Sequence, residues 1–477
     1  MILAGLLLSL PLPRPVDDPP AVEIAADVLE DRIHGGLLAQ ILGNLNGLPH
    51  EFKYIEEPGR VESYTPALPE GARTDDDTDI EWVYLHEMAR TGEIFLPPGR
   101  VRELWRTHIN KGIWCANLYA RCLMDLGLEP PLTGRLPLNP WASFNISGQF
   151  VSECFGLAAP AMPRTASRIG LHYTRTAVDG EPLQATRLFC TMIASAFVEA
   201  DPRKILEAGL AALDPSSALA AVAADVRRWR DEHPGDWRAC RFKVKEKYQR
   251  HGGGMRDRNG HELNTAGVLA ALLYGGGDLV ETLRLAFNFG WDADCNAATA
   301  GTIVGVLRGR RWMEGQGWTI RDVYRNTTRD ELPRDETISG FAAKIAAVAR
   351  RVILAQGGEE RVRDGRRFFL IRAERPAPLE PLPTPEGRRE ELRQELGPGL
   401  ERDLKGAAQD RARAAYLAIA LGEADRLAAA HPSDWAAAVE ALGRFPGVLR
   451  AIFDAPRPFG DRIRERAAAE GLGRPPK

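Results

Sequence analysis

The sequence predicts an all-α fold, a compact multi-helix domain with a small C-terminal helical appendage, and three observations lead there. Ala- and Leu-rich stretches repeat with the spacing of amphipathic helices, Gly, Pro and Asn clusters separate them, and the period-2 alternation of strands is scarce. The spacing predicts helices over about 24–45, 78–91, 99–108, 113–126, 184–199, 203–212, 215–230, 262–274, 278–288, 295–309 and 337–354. One β-like piece, Arg367-Phe-Phe-Leu-Ile-Arg372, follows a Gly-Gly turn.

A chain of 477 residues exceeds what one ordinary core organises, so it divides. Residues 1–22 read as a leader or signal segment, 23–375 as the main helical domain and 376–388 as a linker. Prolines at 376, 378, 381, 383 and 385 favour an extended, polyproline-like linker. Residues 389–477, rich in Ala, Arg and Glu at helical spacing, read as a C-terminal helical module without visible chemistry. The apolar run Met1 to Leu10 has no Lys or Arg before it and no A-x-A site after it, which leaves cytoplasmic and exported locations both open.

Composition excludes several classes. With 44% hydrophobic and 27% charged residues the chain has the balance of a soluble globular protein. A net charge of −3, from 62 basic and 65 acidic residues, provides no global field for nucleic acid or anionic lipid. Beyond the first ten residues no apolar stretch is long enough to span a bilayer. Neither nucleic acid nor a membrane is therefore indicated as a partner, and the expected state is a monomer. Six scattered cysteines without a CxxC pair read as reduced, buried thiols.

Three segments carry chemistry. In Thr74-Asp-Asp-Asp-Thr-Asp79 four carboxylates crowd into five positions, and a nearby cation relieves their repulsion. Alone, the segment also fits the cap of the helix that follows, whose dipole favours acidic side chains. Asn288-Phe-Gly-Trp-Asp-Ala-Asp-Cys-Asn296 places Asp292 and Asp294 at a loop-to-helix junction, oxygen donors suited to a hard cation such as magnesium. Small residues after it (Ala297, Ala298, Ala300, Gly301, Gly305) admit a close neighbour. A third segment, from Gly35 through Gly43 and Gly47 to Glu51, is a helix with a small-residue stripe that ends at a Gly-Leu-Pro turn and presents an acid. By itself Glu51 also fits a surface residue after a helix stop.

Taken together, in this order and over about residues 30 to 350, these segments resemble the signature of ADP-ribosylglycohydrolases, whose fold is that of the dinitrogenase-reductase-activating glycohydrolases. The family's G-x-x-x-G-x-x-x-G-D-A-L-G-x-P-x-E segment is matched at Gly43, Gly47, Pro49 and Glu51. Its T-D-D-T segment is matched at Asp76, Asp77 and Thr78, and its G-G-D-T-D-T loop with A-A-x-x-G at Gly290, Asp292, Asp294, Ala297, Ala298 and Gly301. The resemblance implies two magnesium ions held by Asp75, Asp76, Asp77, Asp292, Asp294 and Cys295, with Glu51, Asp76 and Asp292 catalytic. It also implies ligand contacts from Phe144, Asn145, Ser147 and Gly148, from His172 and from Trp291. Ile146 to Gln149 is a candidate nest for the diphosphate.

The implied activity is hydrolysis of the glycosidic bond between ADP-ribose and a modified side chain or related ADP-ribosyl group. Three departures bear on it. Asn44 replaces an aspartate, Asp75 a threonine, and Cys295 the last threonine of the late motif. A neutral thiol is a poor magnesium ligand, so the second ion is weakened or lost. Two other readings stay open: a non-catalytic ADP-ribose-binding relative, and a metal hydrolase acting on another ribosyl or glycosyl substrate.

Overall fold

The computed structural model describes residues 19–249, 256–378, 385–455, 457 and 460–476. The apolar run Met1 to Leu10 and part of the Pro-rich stretch lie outside the described residues. The chain forms two units: Met1–Pro97, Gly148–Thr174 and Leu183–Pro381 in the first, and Pro98–Ser147, Arg175–Pro182 and Leu382–Lys477 in the second.

In the first unit, strand β1 (Val22–Ala25) leads into α1 (Ala26–Gly47). From Leu37 to Asn44 every side of α1 is buried, as befits a central helix. Pro49 cannot continue it, and a single 3₁₀ turn, Leu48–His50, delivers the chain to Glu51. After β2 (Ala72–Arg73), helix α2 (Asp76–Thr91) opens with Asp76, Asp77 and Asp79 in its first turn and stops at the left-handed Gly92. Then come α3 (Pro163–Thr174), α4 (His261–Gly275), α5 (Leu279–Phe289) and α6 (Ala293–Arg308). Beyond β3 (Tyr324–Arg325) and β4 (Asp335–Glu336), helix α7 (Ile338–Ala355) packs on α1 and α2.

Helix α6 lies along α1, and α4 and α5 pack against it. Two small sheets complete the unit. One has the order β2-β3-β4. The other is β1-β6-β5, formed with β5 (Glu359–Arg363) and β6 (Arg366–Ile371), the strand anticipated at Arg367.

The second unit gathers helices from distant parts of the chain. Pro98–Thr107 and Cys115–Asp125 fold with Pro385–Asp403, Ala408–Leu421, Ala424–Ala430, Pro432–Gly443, Pro446–Asp454 and Asp461–Ala469. One hydrophobic cluster joins Tyr119, Leu123, Leu126 and Leu138 to Leu400, Tyr416, Leu427, Leu442 and Ile452. Tyr416 donates to the Tyr119 hydroxyl at 3.0 Å, and Arg388 pairs with Asp179 at 3.3 Å. The C-terminal helices thus share a core with upstream residues rather than building one alone. Their first helix also starts at Pro385, inside the stretch expected as linker, because proline is tolerated in a first helical turn.

Helices Pro163–Thr174 and Trp237–Tyr248 were not anticipated. In the latter, Lys and Arg alternate with the apolar residues and obscure the buried stripe of Trp237, Cys240, Arg241, Val244 and Tyr248. All six cysteines are unbridged, and all but Cys115 are buried. Among the described residues no helix is long and apolar enough to cross a membrane.

Candidate metal centre

Glycine contacts bring the distant acidic segments together. A Cβ on Gly43 would lie 2.3 Å from the Ala297 carbonyl oxygen, and one on Gly301 2.6 Å from the Ala39 carbonyl oxygen. Helices α1 and α6 therefore meet backbone to backbone, which side chains at these positions would prevent. Where α1 ends, a Cβ on Gly47 would meet Asp294 Cα at 2.6 Å, so the turn leading to Glu51 presses on the start of α6.

Backbone bonds finish the alignment. Phe52 N–H donates to the Trp291 carbonyl at 2.7 Å and Trp291 N–H to the Tyr54 carbonyl at 3.2 Å, joining the Glu51 loop to the Asp292 loop. Gly290 (φ 77°) and Trp291 (φ 55°) both occupy the left-handed region, giving the sharp turn that aims Asp292. The other acidic segment is tied down by Thr74 N–H donating to the Arg325 carbonyl at 2.9 Å and Thr327 N–H donating to Thr74 Oγ1 at 2.8 Å.

The result is one acidic centre in the first unit. Donor atoms of Glu51, Asp292 and Asp294 lie within 4.8 Å of one another, and so do those of Asp77, Asp294 and Cys295. Asn44 Nδ2 donates to Asp77 Oδ2 at 2.5 Å and to Asp75 Oδ2 at 3.1 Å. The Asn44 amide thus bridges the carboxylates of Asp75 and Asp77. Cys295 Sγ donates to Asp77 Oδ1 at 2.7 Å.

Electrostatics sharpen this picture. Burial, then the charges of Asp75 and Asp79, hold the Asp76 carboxyl well above the usual range. Burial, then Asp76 and Asp75, do the same to Asp77, and burial, then Asp77 and Asp292, to Asp294. Burial raises Asp292 as well, against the hydrogen bonds it receives. Glu51, at the exposed rim, is pushed up to about 7 by desolvation and by the charges of Asp292 and Asp75. Burial and the surrounding carboxylates raise the Cys295 thiol far above its ordinary value, so it is protonated at neutral pH.

A surrounding shell, mostly unread in the sequence, fixes these groups. Asp79 does not cap its helix by side chain. It forms a fully buried ion pair with Arg329 at 2.6 Å and accepts from Thr328 Oγ1 at 2.6 Å. Asn259 Nδ2 donates to Asp292 Oδ2 at 2.6 Å, while Asp292 N–H donates to Asn264 Oδ1 at 3.1 Å. Asn296 Nδ2 donates to the same Asn264 oxygen at 2.9 Å, and Gln149 Nε2 to Asn296 Oδ1 at 3.2 Å. Deeper still, Gln40 Nε2 donates to Glu81 Oε2 at 2.9 Å and to the Asp77 carbonyl at 3.3 Å. The signal that could have found this shell is a buried amide or acid among apolar neighbours, as at Gln40, Glu81 and Asn264.

The candidate ligand-contacting residues are placed differently. Phe144, Asn145 and Ser147 belong to the second unit, Gly148 to the first, and all are buried. Phe144 packs on Trp141, with ring centroids 5.4 Å apart. The Ser147 N–H and hydroxyl both donate to Asn145 Oδ1, and the Gly148 carbonyl accepts from Thr186 Oγ1 at 2.7 Å. The nest expected at Ile146 to Gln149 thus has its Ser147 donors already committed. His172 stands edge-on to Phe95 and Tyr173, its Nε2 2.9 Å from the Leu96 carbonyl. Trp291 is fully buried beneath the Arg241 guanidinium, 3.7 Å from the ring centre, with Nε1 donating to Gln249. It anchors the Asp292 loop and shows no ring face to solvent.

The donor set fits a divalent cation. Buried carboxylates crowded on one another are costly unless a positive charge or protons compensate them. Oδ1 of Asp292 and Oδ1 of Asp294 are buried without a hydrogen-bond partner among the described residues. Carboxylate oxygens of this kind are the donors hard cations prefer.

Comparison with known proteins agrees with this geometry. The family model described as ADP-ribosylglycohydrolase matches residues 25–359. A search of the curated proteins returns no match. Among solved structures the chain is similar to one from an "ADP-ribosylglycohydrolase-related protein complex", at 17% identity and a TM-score of 0.42, covering 68% of this chain and 99% of that one. With a matching model that spans most of its length and all three acidic segments, the chain belongs to the ADP-ribosylglycohydrolase family.

Proposed function

We propose that this protein is a magnesium-dependent glycohydrolase that cleaves the bond between ADP-ribose and a modified side chain or a related ADP-ribosyl substrate. The observation that carries the reading is the convergence of Glu51, Asp292 and Asp294 on Asp77 and Cys295, with carboxylate oxygens left unpartnered. Asp75, Asp76, Asp77, Asp292 and Asp294 would hold the cation. When bound, it supplies a template for vicinal ribose hydroxyls and Lewis-acid polarisation.

The protein's own groups do the rest. Glu51 sits at the exposed rim with its carboxylate oxygen within 4.8 Å of those of Asp292 and Asp294, which places it as the general base of the centre. It takes the proton of the attacking water. As the glycosidic bond lengthens, positive charge grows on the sugar ring, and the negative field of Asp75, Asp76 and Asp292 stabilises it. Asn259 and Asn264 hold Asp292 in register for that role.

The test is release of free ADP-ribose from ADP-ribosyl-arginine, ADP-ribosyl-serine and a panel of free nucleosides, with and without magnesium. Glu51→Gln should slow release by about 10²–10⁴-fold. Binding of ADP-ribose without release from any substrate would replace this reading by that of a non-catalytic binding relative, which the commitment of Cys295 to Asp77 favours. Turnover of nucleosides alone would point to a different glycosyl substrate.

A further inference from the structure

We propose that the two halves of this centre take different classes of cation: Glu51, Asp292 and Asp294 a hard one, and Asp77, Asp294 and Cys295 a thiophilic divalent ion bound through the Cys295 sulfur. The inference rests on the cation-dependent reading above and gives it a selectivity that magnesium alone does not explain.

The geometry supports it. Sγ of Cys295 and carboxylate oxygens of Asp77 and Asp294 lie within 4.8 Å of one another. Donors about 2.0–2.3 Å from a tetrahedral zinc-like ion stand about 3.3–3.8 Å apart, so side-chain shifts of about 1 Å close the set. Both groups are buried, with Cys295 6% and Asp294 3% exposed. Independently of the thiol, Asp294 Oδ1 is buried without a hydrogen-bond partner among the described residues, an acceptor left over in the same group. Cys295 stands in the first turn of α6, where the helix dipole favours a thiolate once a cation is present.

Softness decides which ion enters. Without a thiophilic ion the S–H bond persists and donates to Asp77 Oδ1 at 2.7 Å, which also occupies an oxygen that a hard ion would use. Magnesium, with little affinity for sulfur, does not displace that proton. A zinc-class ion does. The S–H bond breaks, the proton passes to solvent, the sulfur lone pair forms the bond to the cation, and no electrons are transferred.

The experiment is a cobalt(II) titration of the chelator-stripped full-length protein and of Cys295→Ser, with Cys295→Thr as a second variant should the first fail to fold. Visible d–d bands report cobalt bound at all, and a near-ultraviolet sulfur-to-cobalt charge-transfer band reports the thiolate. The wild type should show both. The variants should keep visible bands from the oxygen donors, lose the near-ultraviolet band, and require about tenfold or more zinc to displace a cobalt equivalent. Cobalt bound without the charge-transfer band in the wild type, or a band that survives in both variants, overturns the proposal and leaves the glycohydrolase reading standing. If equilibrium dialysis finds neither cobalt nor magnesium retained by the wild type, the cation-dependent function falls with it.

Discussion

The backbone contact between α1 and α6 is what holds Glu51 near Asp292 and Asp294, and Gly43→Ala tests it. A methyl at this position would meet the Ala297 carbonyl oxygen at 2.3 Å and its carbon at 2.4 Å, whereas ordinary contact starts at 3.4 Å, so the helices must part by about 1 Å. Both atoms are backbone and cannot rotate away. Two effects oppose each other. Replacing glycine by alanine in a helix interior gains about 0.5–1 kcal/mol of propensity. Overpacking a tight contact costs about 1–3 kcal/mol. The contact should win, leaving a net loss of about 1–2 kcal/mol.

Function should suffer more than stability, because a 1 Å misplacement of positioned groups is worth about 10²-fold in rate. The assays are urea denaturation, magnesium calorimetry and ADP-ribose release. Gly399→Ala is the control, since a Cβ there meets only the flexible Arg402 guanidinium at 3.5 Å, an ordinary contact, and helix propensity should dominate. A Gly43→Ala protein as stable as the wild type, with unchanged magnesium affinity, would refute the idea that close helix packing builds the centre.

Other perturbations probe different parts of the same argument. Arg329→Met leaves the buried Asp79 carboxylate uncompensated and should cost about 3–5 kcal/mol in denaturation, with Asp79→Asn in the same chain restoring most of it. Glu81, buried and hydrogen-bonded to Gln40 and Cys154, has its carboxyl raised from 4.5 to about 7 chiefly by burial, so the folded state holds a proton that the unfolded state has lost. Its contribution to stability is complete below pH 4.5 and falls by about 1.4 kcal/mol per unit as pH rises towards 7. In chelator, Glu81→Gln should flatten that part of the pH–stability curve, and an unchanged slope would mean another group titrates. Asp294→Asn removes the carboxylate common to both donor groups. It should make the metal-free protein more stable by relieving repulsion, and abolish the gain of about 2.7 kcal/mol that magnesium at 100 times its Kd would give the wild type under the proposed function. Thermal melts with and without magnesium read both effects.

The sequence by itself determined the helical class, most helix positions and the family, because periodicity and the spacing of Gly43, Glu51, Asp76, Asp77, Asp292 and Asp294 are local patterns. The candidate acids could be named from residue type alone, since crowded carboxylates carry their chemistry wherever they fold. Only the tertiary structure decided their partners. Arg329 on Asp79, Asn44 across Asp75 and Asp77, Asn259 on Asp292 and the thiol of Cys295 on Asp77 join positions far apart in the chain. Such pairings leave no periodic trace for a sequence to display. The same holds for Trp291, whose ring the fold spends on Arg241, and for the C-terminal helices, whose core is completed by Tyr119 and Leu123. Burial is a property of what arrives from elsewhere, and a one-dimensional pattern records only the face that waits for it.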